Sequence, residues 1–407
     1  MSDSIRFTKG RDLEGKRITL CVTGSVACIL APELARELIR YGAQVYSVVT
    51  KAARRFIRPT LLEWATGNKV VTKLTGKLEH LDLGEKSDLV LVYPATANTI
   101  SKFAHGIEDS PVTSILNVAL GAKCPIMMAP AMHLSLFNNP ILKQNMDKLK
   151  DLGVHFIEPE LMEEKAKAPM EKTLSSIIKF FNSPLKGLNL LITAGASAEP
   201  IDDVRIITNR SSGKMGIELA SEALLRRANV TLIYGRVSVD IPKGCKAIKA
   251  ESTEEMLKEI REEITKGDYH VMIFAGAPSD YRLEEPYKGK IDSREKERLN
   301  ITLVRTPKIL EEVRKIKENI KLVSFKAEYN LSDEELINRA KEFMLLTRSD
   351  LVIANDVSRP QAGFEKDTNE VIILDSSDKV KKVKGSKKFV ASKILDSIEE
   401  LLASLKS

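Results

Sequence analysis

Two stretches of the chain open alike. "GKRITLCVTGSVA" begins at Gly15 and "KGLNLLITAGASA" at Lys186. In both, a short apolar run ends in a turn containing Thr and Gly. A doubly wound α/β domain starts this way, because its first strand is buried on both faces and delivers a ligand loop at its carboxyl end. The repetition predicts two such domains, and a length of 407 residues suits two or three domains better than one. Between the two openings, "FFNSPLKG" (180–187) carries the Asn, Ser, Pro and Gly of a connector. The boundary is placed there, giving domains 1–182 and 183–407.

The remainder of each half alternates strand and helix patterns. "RITLCVTG", "AQVYSVVT", "DLVLVYPAT" and "PIMMAPA" read as strands in the first half. "APELARELIRYG", with Pro32 in its first turn and Gly42 at its end, reads as a helix, as does "NPILKQNMDKLKDLG". In the second half the strands are "NVTLIYG", "YHVMIFAGAP", "KLVSFKAE" and "DLVIANDV". The helices are "KMGIELASEALLRRA" and "SDEELINRAKEFMLL". Apolar runs without alternation imply parallel strands buried on both faces. The fold class is therefore α/β, with two doubly wound, Rossmann-like domains.

Charge and cysteine content exclude several function classes. Lys and Arg number 63 against 56 Asp and Glu, a net +7. That balance, without a basic stripe interleaved with aromatics, suits small anionic substrates at least as well as nucleic acid. The densest basic run, "KVKKVKGSKK" (379–388), is read as a solvated hairpin tip before a last helix. Cys21, Cys28, Cys124 and Cys245 have no CxxC spacing and no nearby His cluster, which argues against a zinc site or a disulfide framework. The polar N-terminus has no signal-peptide core, and no apolar run reaches the ~20 residues that span a bilayer. A cytoplasmic protein with no membrane partner is expected.

Polar and small residues gather after the strands of the first half: Gly24 and Ser25, then Thr50, then "PATANTISKFAHG". Thr96, Asn98 and Thr99 can donate to a phosphate at a helix start, although for a single loop of this kind an ordinary Thr/Asn cap is the better reading. Taken together, "TGSVAC", "EHLDLG", "PATANTISKFAHGIEDSPVTS" and "APAMHLSLF" resemble, in order, the flavin-dependent cysteine decarboxylases over residues 16–175. The resemblance implies FMN bound by Gly24, Ser25, Thr50, Ala95, Thr96, Asn98 and Thr99, with Asp109 and Thr113 nearby. It implies a trimer with FMN at the subunit interface. His80 becomes the candidate base, since imidazole titrates near neutral pH. In this chemistry the flavin oxidises the CH₂–SH group to a thioaldehyde, into which the carboxylate can leave. Met132 and His133 would meet the substrate, His133 standing where the family has a carboxylate-binding Asn. The family's flap Cys is absent from "EPELMEEKAKAPMEK", where Lys165, Lys167 or solvent would supply the proton instead.

In the second half, "TNRSSGKMG" (208–216) invites a P-loop reading. Gly213 and Lys214 fit G-x-x-x-x-G-K-[ST], but the first Gly is Thr208 and the magnesium-binding hydroxyl is Met215. "ITAGASAEPIDDVRIITNRSSGKMG", "AGAPSDYR", "GKID", "ANDVS" and "GFEKDTNEVIIL" instead resemble the phosphopantothenate–cysteine ligases over residues 186–405. A decarboxylase half fused to this ligase half is the layout of the bifunctional coenzyme A biosynthesis proteins. The resemblance implies that CTP, with Mg²⁺, activates 4'-phosphopantothenate as an acyl-cytidylate, which cysteine then attacks. Asn209 would orient that intermediate, and Lys290 would neutralise the triphosphate. Gly276, Ala277, Asp280, Pro307, Lys308, Ile309, Leu310 and Phe325 would contact the nucleotide. Ser211, Ser212, Gly213 and Lys214 would hold the phosphate end of phosphopantothenate. The metal ligands are unassigned.

Two departures bear on nucleotide choice. The family's Lys-Ile-Lys-Lys reads Lys290-Ile291-Asp292-Ser293 here. Two nucleotide-facing lysines of a later helix fall on Phe343 and Thr347, with Lys341 and Arg348 as the nearby replacements. CTP is the expected nucleotide and ATP the alternative. The expected assembly is a homo-oligomer of trimeric flavin domains and dimeric ligase domains, which symmetry allows to close as a dodecamer. The second functional reading is a ligase whose flavin-binding domain is catalytically impaired and serves assembly.

Overall fold

Strands β1 (Arg17–Val22) and β3 (Leu89–Ala95) are buried along nearly their whole length. A strand meets that condition when it has neighbours on both edges and helices on both faces. The computed structural model, which describes residues 3–292, 294, 298–359, 363 and 366–403, divides the chain into units Met1–Asn182 and Ser183–Ser407. In the first unit, β1 and β3 are joined by β2 (Gln44–Val49), β4 (Ile126–Pro130) and β5 (His155–Phe156). All pairs are parallel, in the order β2-β1-β3-β4-β5.

Successive residues of a strand point to opposite faces. Ile18, Leu20 and Val22 therefore pack with Leu34 and Leu38 of α1 (Ala31–Arg40) and with Phe180 near the end of the unit. Cys21, Val90 and Val92 take the other face, against Ile100, Ile115 and Leu149. These belong to α2 (Ala97–Ala104), α3 (Pro111–Gly121) and α4 (Pro140–Asp151). Pro32 lies in the first turn of α1, and Gly42 follows its end at φ +102°.

The second unit repeats the plan with a longer sheet. Its strands are β6 (Asn189–Ala194), β7 (Asn229–Tyr234), β8 (Lys246–Lys249) and β9 (Val271–Phe274), then β10 (Lys321–Glu328) and β11 (Leu351–Asp356). The hairpin β12 (Thr368–Asp375) and β13 (Val380–Ser386) completes it. The order is β8-β7-β6-β9-β10-β11-β12-β13. Pairs are parallel through β11, and the hairpin joins antiparallel. Leu190 and Ile192 pack against α5 (Lys214–Leu225) and α6 (Lys387–Ala403) on one face. Leu191 and Met272 pack on the other face with Met256, Ile260 and Val313.

The basic run at 379–388 is not a hairpin tip. Val380–Ser386 is the edge strand itself, paired from Leu374↔Val380 to Thr368↔Ser386. Lys382 and Lys384 are exposed and alternate with the half-buried Lys381, Val383 and Gly385, and charged side chains along an edge strand discourage further strand pairing. Lys387 then begins α6 and is buried.

Helices α5 and α6 are tied by one buried cation. Arg226, 1% exposed, follows α5. Its Nε and Nη2 donate to Glu222 Oε1 (3.0 and 2.8 Å), and Nη2 also donates to Asp396 Oδ1 (2.9 Å). Glu399 lies 3.2 Å from Nη1. Removing the guanidinium leaves these carboxylates uncompensated, so Arg226→Ala is expected to lower the unfolding free energy by about 3–5 kcal/mol. Denaturant unfolding of the full chain, followed by circular dichroism, measures this.

Candidate functional site

In the first unit the strand order reverses between β1 and β3, since β1 leads to β2 on one side and β3 to β4 on the other. Ligands of open parallel sheets bind outside the carboxyl ends of the strands at such a point. Thr23, Gly24 and Ser25 follow β1, and Thr96 follows β3 and caps α2. The two loops are bonded to each other. Thr23 Oγ1 donates to the Pro94 carbonyl (2.6 Å), and the Thr96 N–H donates to Thr23 Oγ1 (3.2 Å). Thr96 Oγ1 accepts from the Thr99 N–H (3.4 Å) and lies 3.1 Å from Thr99 Oγ1. A Cβ on Gly24 would overlap the Cβ of Ala52, so only glycine lets this loop sit against the one that follows Thr50.

The remaining predicted residues of this unit are placed as follows. His80 opens the helix Glu79–Glu85, and its Nδ1 is buried without a hydrogen-bond partner. Asp109 is ion-paired with Lys102. The buried Thr113 is occupied in the capping box of α3, accepting from the Ser110 N–H (3.1 Å) and donating to its carbonyl (3.0 Å). Met132–His133 pairs antiparallel with Lys165–Lys167, which pairs in turn with Glu160–Met162. His133 faces Lys165 in that register. Its Nδ1 accepts from the Ser135 N–H (3.3 Å), and its Nε2 lies 3.5 Å from Glu164 Oε2. His133 thus already neighbours a carboxylate belonging to the chain.

The second unit reverses its strand order between β6 and β9. An open cleft of about 710 Å³ lies there. It is lined by five separated segments: 209–216, 274–280, 306–311, 325–327 and the group Phe343, Leu346 and Thr347. Asn355, Gly363, Asn369 and Lys387 also line it. Gly213 stands at the head of α5 as its N-cap, with φ +73° and no side chain of its own to cap the helix. Gly216 brings α5 onto β6, where a Cβ would lie 2.7 Å from the Thr193 carbonyl oxygen. Asn209 Nδ2 donates to the carbonyls of Ala277 (3.0 Å) and Pro278 (3.1 Å). With its amide hydrogens so used, its Oδ1 is the part of the side chain open to a ligand's donor. Ser279, 5% exposed, lines the same cleft, and its Oγ has no partner.

The cleft gathers Asn209, Ser211, Ser212, Gly213, Lys214, Gly276, Ala277, Asp280, Pro307, Lys308, Ile309, Leu310 and Phe325. It does not include Lys290. The loop carrying Lys290 is pinned elsewhere: Gly289 N–H donates to Asp203 (3.0 Å) and Ile291 N–H to Asp202 (3.1 Å). Burial pushes the Asp202 carboxyl up, but the N–H groups of Ile291, Val204 and Arg205 and the Arg205 guanidinium outweigh this and hold it well below the carboxylate range. Lys341 and Arg348 do not replace the missing helix lysines. Lys341 pairs with Asp378 (2.9 Å), Arg348 lies 4.0 Å from Glu318, and neither lines the cleft. The lysine beside Phe343 is Lys326 of β10, with its Nζ 5.3 Å from the ring centroid. Sequence reasoning missed Lys326 although it follows Phe325 directly, and it missed Lys387, hidden in a run read as solvated. Ser293, Phe364 and Glu365, which belong to the quoted motifs, lie outside the described residues.

Residues 6–184 match the family described as Flavoprotein, and residues 185–402 match the DNA/pantothenate metabolism flavoprotein C-terminal domain. The coenzyme A biosynthesis bifunctional protein of Thermococcus kodakarensis is 45% identical over 405 residues, 98% of both chains. The chain belongs to the family of coenzyme A biosynthesis bifunctional proteins. The Methanocaldococcus jannaschii member is 39% identical over 98% of this chain and 97% of its own. The Escherichia coli member is 33% identical over 90% and 93%. In this chain the two switch points lie in separate units, each with its own loops.

Gly213 gives a local prediction. A Cβ there would lie 2.5 Å from Val237 Cγ1, in a left-handed backbone conformation. Gly213→Ala is expected to destabilise the second unit by about 1–2 kcal/mol. Thermal unfolding of wild type and variant under identical conditions reads this directly.

Proposed function

We infer that the chain carries out two consecutive reactions of coenzyme A synthesis. The second unit joins cysteine to 4'-phosphopantothenate, and the first decarboxylates the 4'-phosphopantothenoylcysteine formed to 4'-phosphopantetheine. The observation that carries the ligase reading is the convergence of five separated segments on one cleft. Family membership over both halves carries the pairing of activities.

In the ligase, the carboxylate of phosphopantothenate attacks the α-phosphorus of CTP and pyrophosphate leaves. The amine of cysteine then attacks the acyl carbon and CMP leaves. Asn209, oriented by the Ala277 and Pro278 carbonyls, turns its Oδ1 toward the activated carboxyl and the incoming amine. Among the described residues, Arg210, Lys214, Lys308, Lys326 and Lys387 are the cations lining the cleft. They support the anionic groups gathered there. Lys290 takes part when its loop, or a second copy of the unit, brings it to the cleft. Among the described residues no group of three or more His, Cys, Asp or Glu is arranged to hold a metal ion. Mg²⁺ would enter on the triphosphate, as it does where phosphates complete its coordination. CTP is the proposed nucleotide.

The residues of the first unit fit FMN. Thr96, Asn98 and Thr99 at the head of α2, with Gly24, Ser25 and Thr50, offer hydroxyl, amide and N–H donors at the β1/β3 switch point. The orphaned Nδ1 of His80 is a polar atom in want of a partner. Bound there, FMN would supply the redox chemistry of the CH₂–SH oxidation and of the reduction that completes the reaction. His80 takes the proton released in the oxidation. The proton for the final reduction comes from Lys165 or Lys167, exposed on the hairpin beside Met132–His133, or from solvent. The flavin units pair as trimers and the ligase units as dimers. A ligase-only reading has no observation in its favour.

The coupled reaction with 4'-phosphopantothenate, cysteine and CTP, followed by mass spectrometry and repeated with ATP, tests both activities. Release of carbon dioxide and 4'-phosphopantetheine is expected with CTP. His80→Asn is expected to keep its flavin absorbance and to lower decarboxylation at least ~100-fold. An active His80→Asn enzyme removes His80 from the chemistry. Asn209→Asp sets a carboxylate against two carbonyls. It is expected to release pyrophosphate but to form the amide at least ~100-fold more slowly. Amide formation at the wild-type rate would refute the role of Asn209.

A further inference from the structure

The segment after β6, "GASAE" (195–199), is where a doubly wound sheet is expected to meet its ligand, yet the cleft does not include it. Ser197 is 0% exposed and Glu199 1% exposed. A carboxylate so buried costs free energy unless its oxygens are bonded. Glu199 Oε1 accepts from Ser197 Oγ (2.8 Å), from Thr253 Oγ1 (2.7 Å) and from the Thr253 N–H (2.9 Å). Thr253 is the first residue of the helix Thr253–Lys266, so the carboxylate also meets that helix's positive end. From Ser197 the bonds run on toward the cleft. Ser197 Oγ accepts from the Ser279 N–H (2.8 Å), and the Ser197 N–H donates to the Ala277 carbonyl (3.3 Å). The Ala277 N–H donates back to the Gly195 carbonyl (2.8 Å). The Ser197 carbonyl accepts from Oγ1 of Thr208, the residue before Asn209 (2.6 Å). The Ser279 carbonyl accepts from Thr306 Oγ1 (2.6 Å). Segments 209–216, 274–280 and 306–311 of the cleft are thereby joined through one buried network. The Ala277 carbonyl serves both the Ser197 N–H and the Asn209 amide.

We propose that Ser197 and Glu199 are positioning residues of the ligase, which aim the Asn209 side chain through the 277–279 segment without touching substrate. The proposal rests on the ligase reading and on the role given there to Asn209. A buried polar network with its members satisfied holds one arrangement of the groups it joins. Here it holds the two carbonyls that orient the Asn209 amide. Misplacing a reacting group by ~1 Å costs on the order of 100-fold in rate. Loss of the Ser197 hydroxyl leaves the Ser279 N–H without its acceptor and loosens the carbonyls just before it. The step that suffers is the one Asn209 serves, attack of the cysteine amine on the activated carboxyl. Activation itself depends on the cations of the cleft, which this network does not bond, and is little changed.

The test uses the full-length chain in single turnovers with 4'-phosphopantothenate, cysteine and CTP, timing pyrophosphate release and amide formation separately. Ser197→Ala is expected to release pyrophosphate within ~3-fold of the wild-type rate and to form the amide ~10–100-fold more slowly, so that the acyl-cytidylate accumulates. A variant that is merely less stable loses both steps together. That result overturns the proposal, as does an unchanged ratio of the two rates. Glu199→Gln keeps an acceptor oxygen in the same place and is expected to recover most of the ratio lost in Glu199→Ala. Equal defects in the two overturn the proposal. Should Ser197→Ala not fold, Thr253→Val removes one bond to Glu199 at nearly the same volume. It is expected to move the ratio in the same direction, and an unchanged ratio overturns the proposal. Hydrogen exchange in the unliganded protein needs no turnover. Ser197→Ala is expected to speed exchange over residues 277–280 by ~10-fold or more, the loss of one buried hydrogen bond. Unchanged exchange there overturns the positioning role. If exchange responds but wild type forms no amide, the network is upheld and the ligase reading falls.

Discussion

The architecture depends on parallel strands that are buried on both faces. Residues such as Leu20 and Leu190 go to one helix layer, and Cys21 and Leu191 go to the other. A strand so enclosed has no room for unpaired polar groups along its length. Hydroxyls, amides and charges collect at the carboxyl ends, and the loops there open where the strand order reverses. Both units obey this rule, with different orders: β2-β1-β3-β4-β5 in the first and a longer series ending in an antiparallel hairpin in the second.

That hairpin has a consequence for the ligase cleft. Because β12 and β13 extend the sheet, α6 returns to pack beside α5, with the Arg226 guanidinium clamping the pair through Glu222, Asp396 and Glu399. Lys387 at the start of α6 is then carried to the cleft that Lys214 at the start of α5 also lines. The charge of the site thus depends on the topology of the sheet's far edge.

The positive charge of the cleft has a different arrangement from the one its family motifs suggest. Phe343 and Thr347 occupy the helix positions where lysines are expected, and Lys326 projects from the neighbouring strand beside the Phe343 ring. Lys341 and Arg348 are spent on Asp378 and Glu318 at the surface. Proximity in sequence was a poor guide here, because on a helix a shift of one position turns a side chain by about 100° away from the cleft.

The sequence by itself determined the two α/β units, the strands that start them and the loops after those strands. Such features follow from local periodicity and turn chemistry, which a linear reading captures. It also determined that the "TNRSSGKMG" loop is not a P-loop, since two of the pattern's positions hold the wrong side chains. Tertiary structure alone decided which cations share the cleft. Lys387 and Lys214 are separated by most of the second unit in sequence, and Lys290 carries the expected motif yet sits on a loop pinned to Asp202 and Asp203. Electrostatic partnership depends on distance in space and on burial, and the sheet order that fixes both is not written in any local stretch.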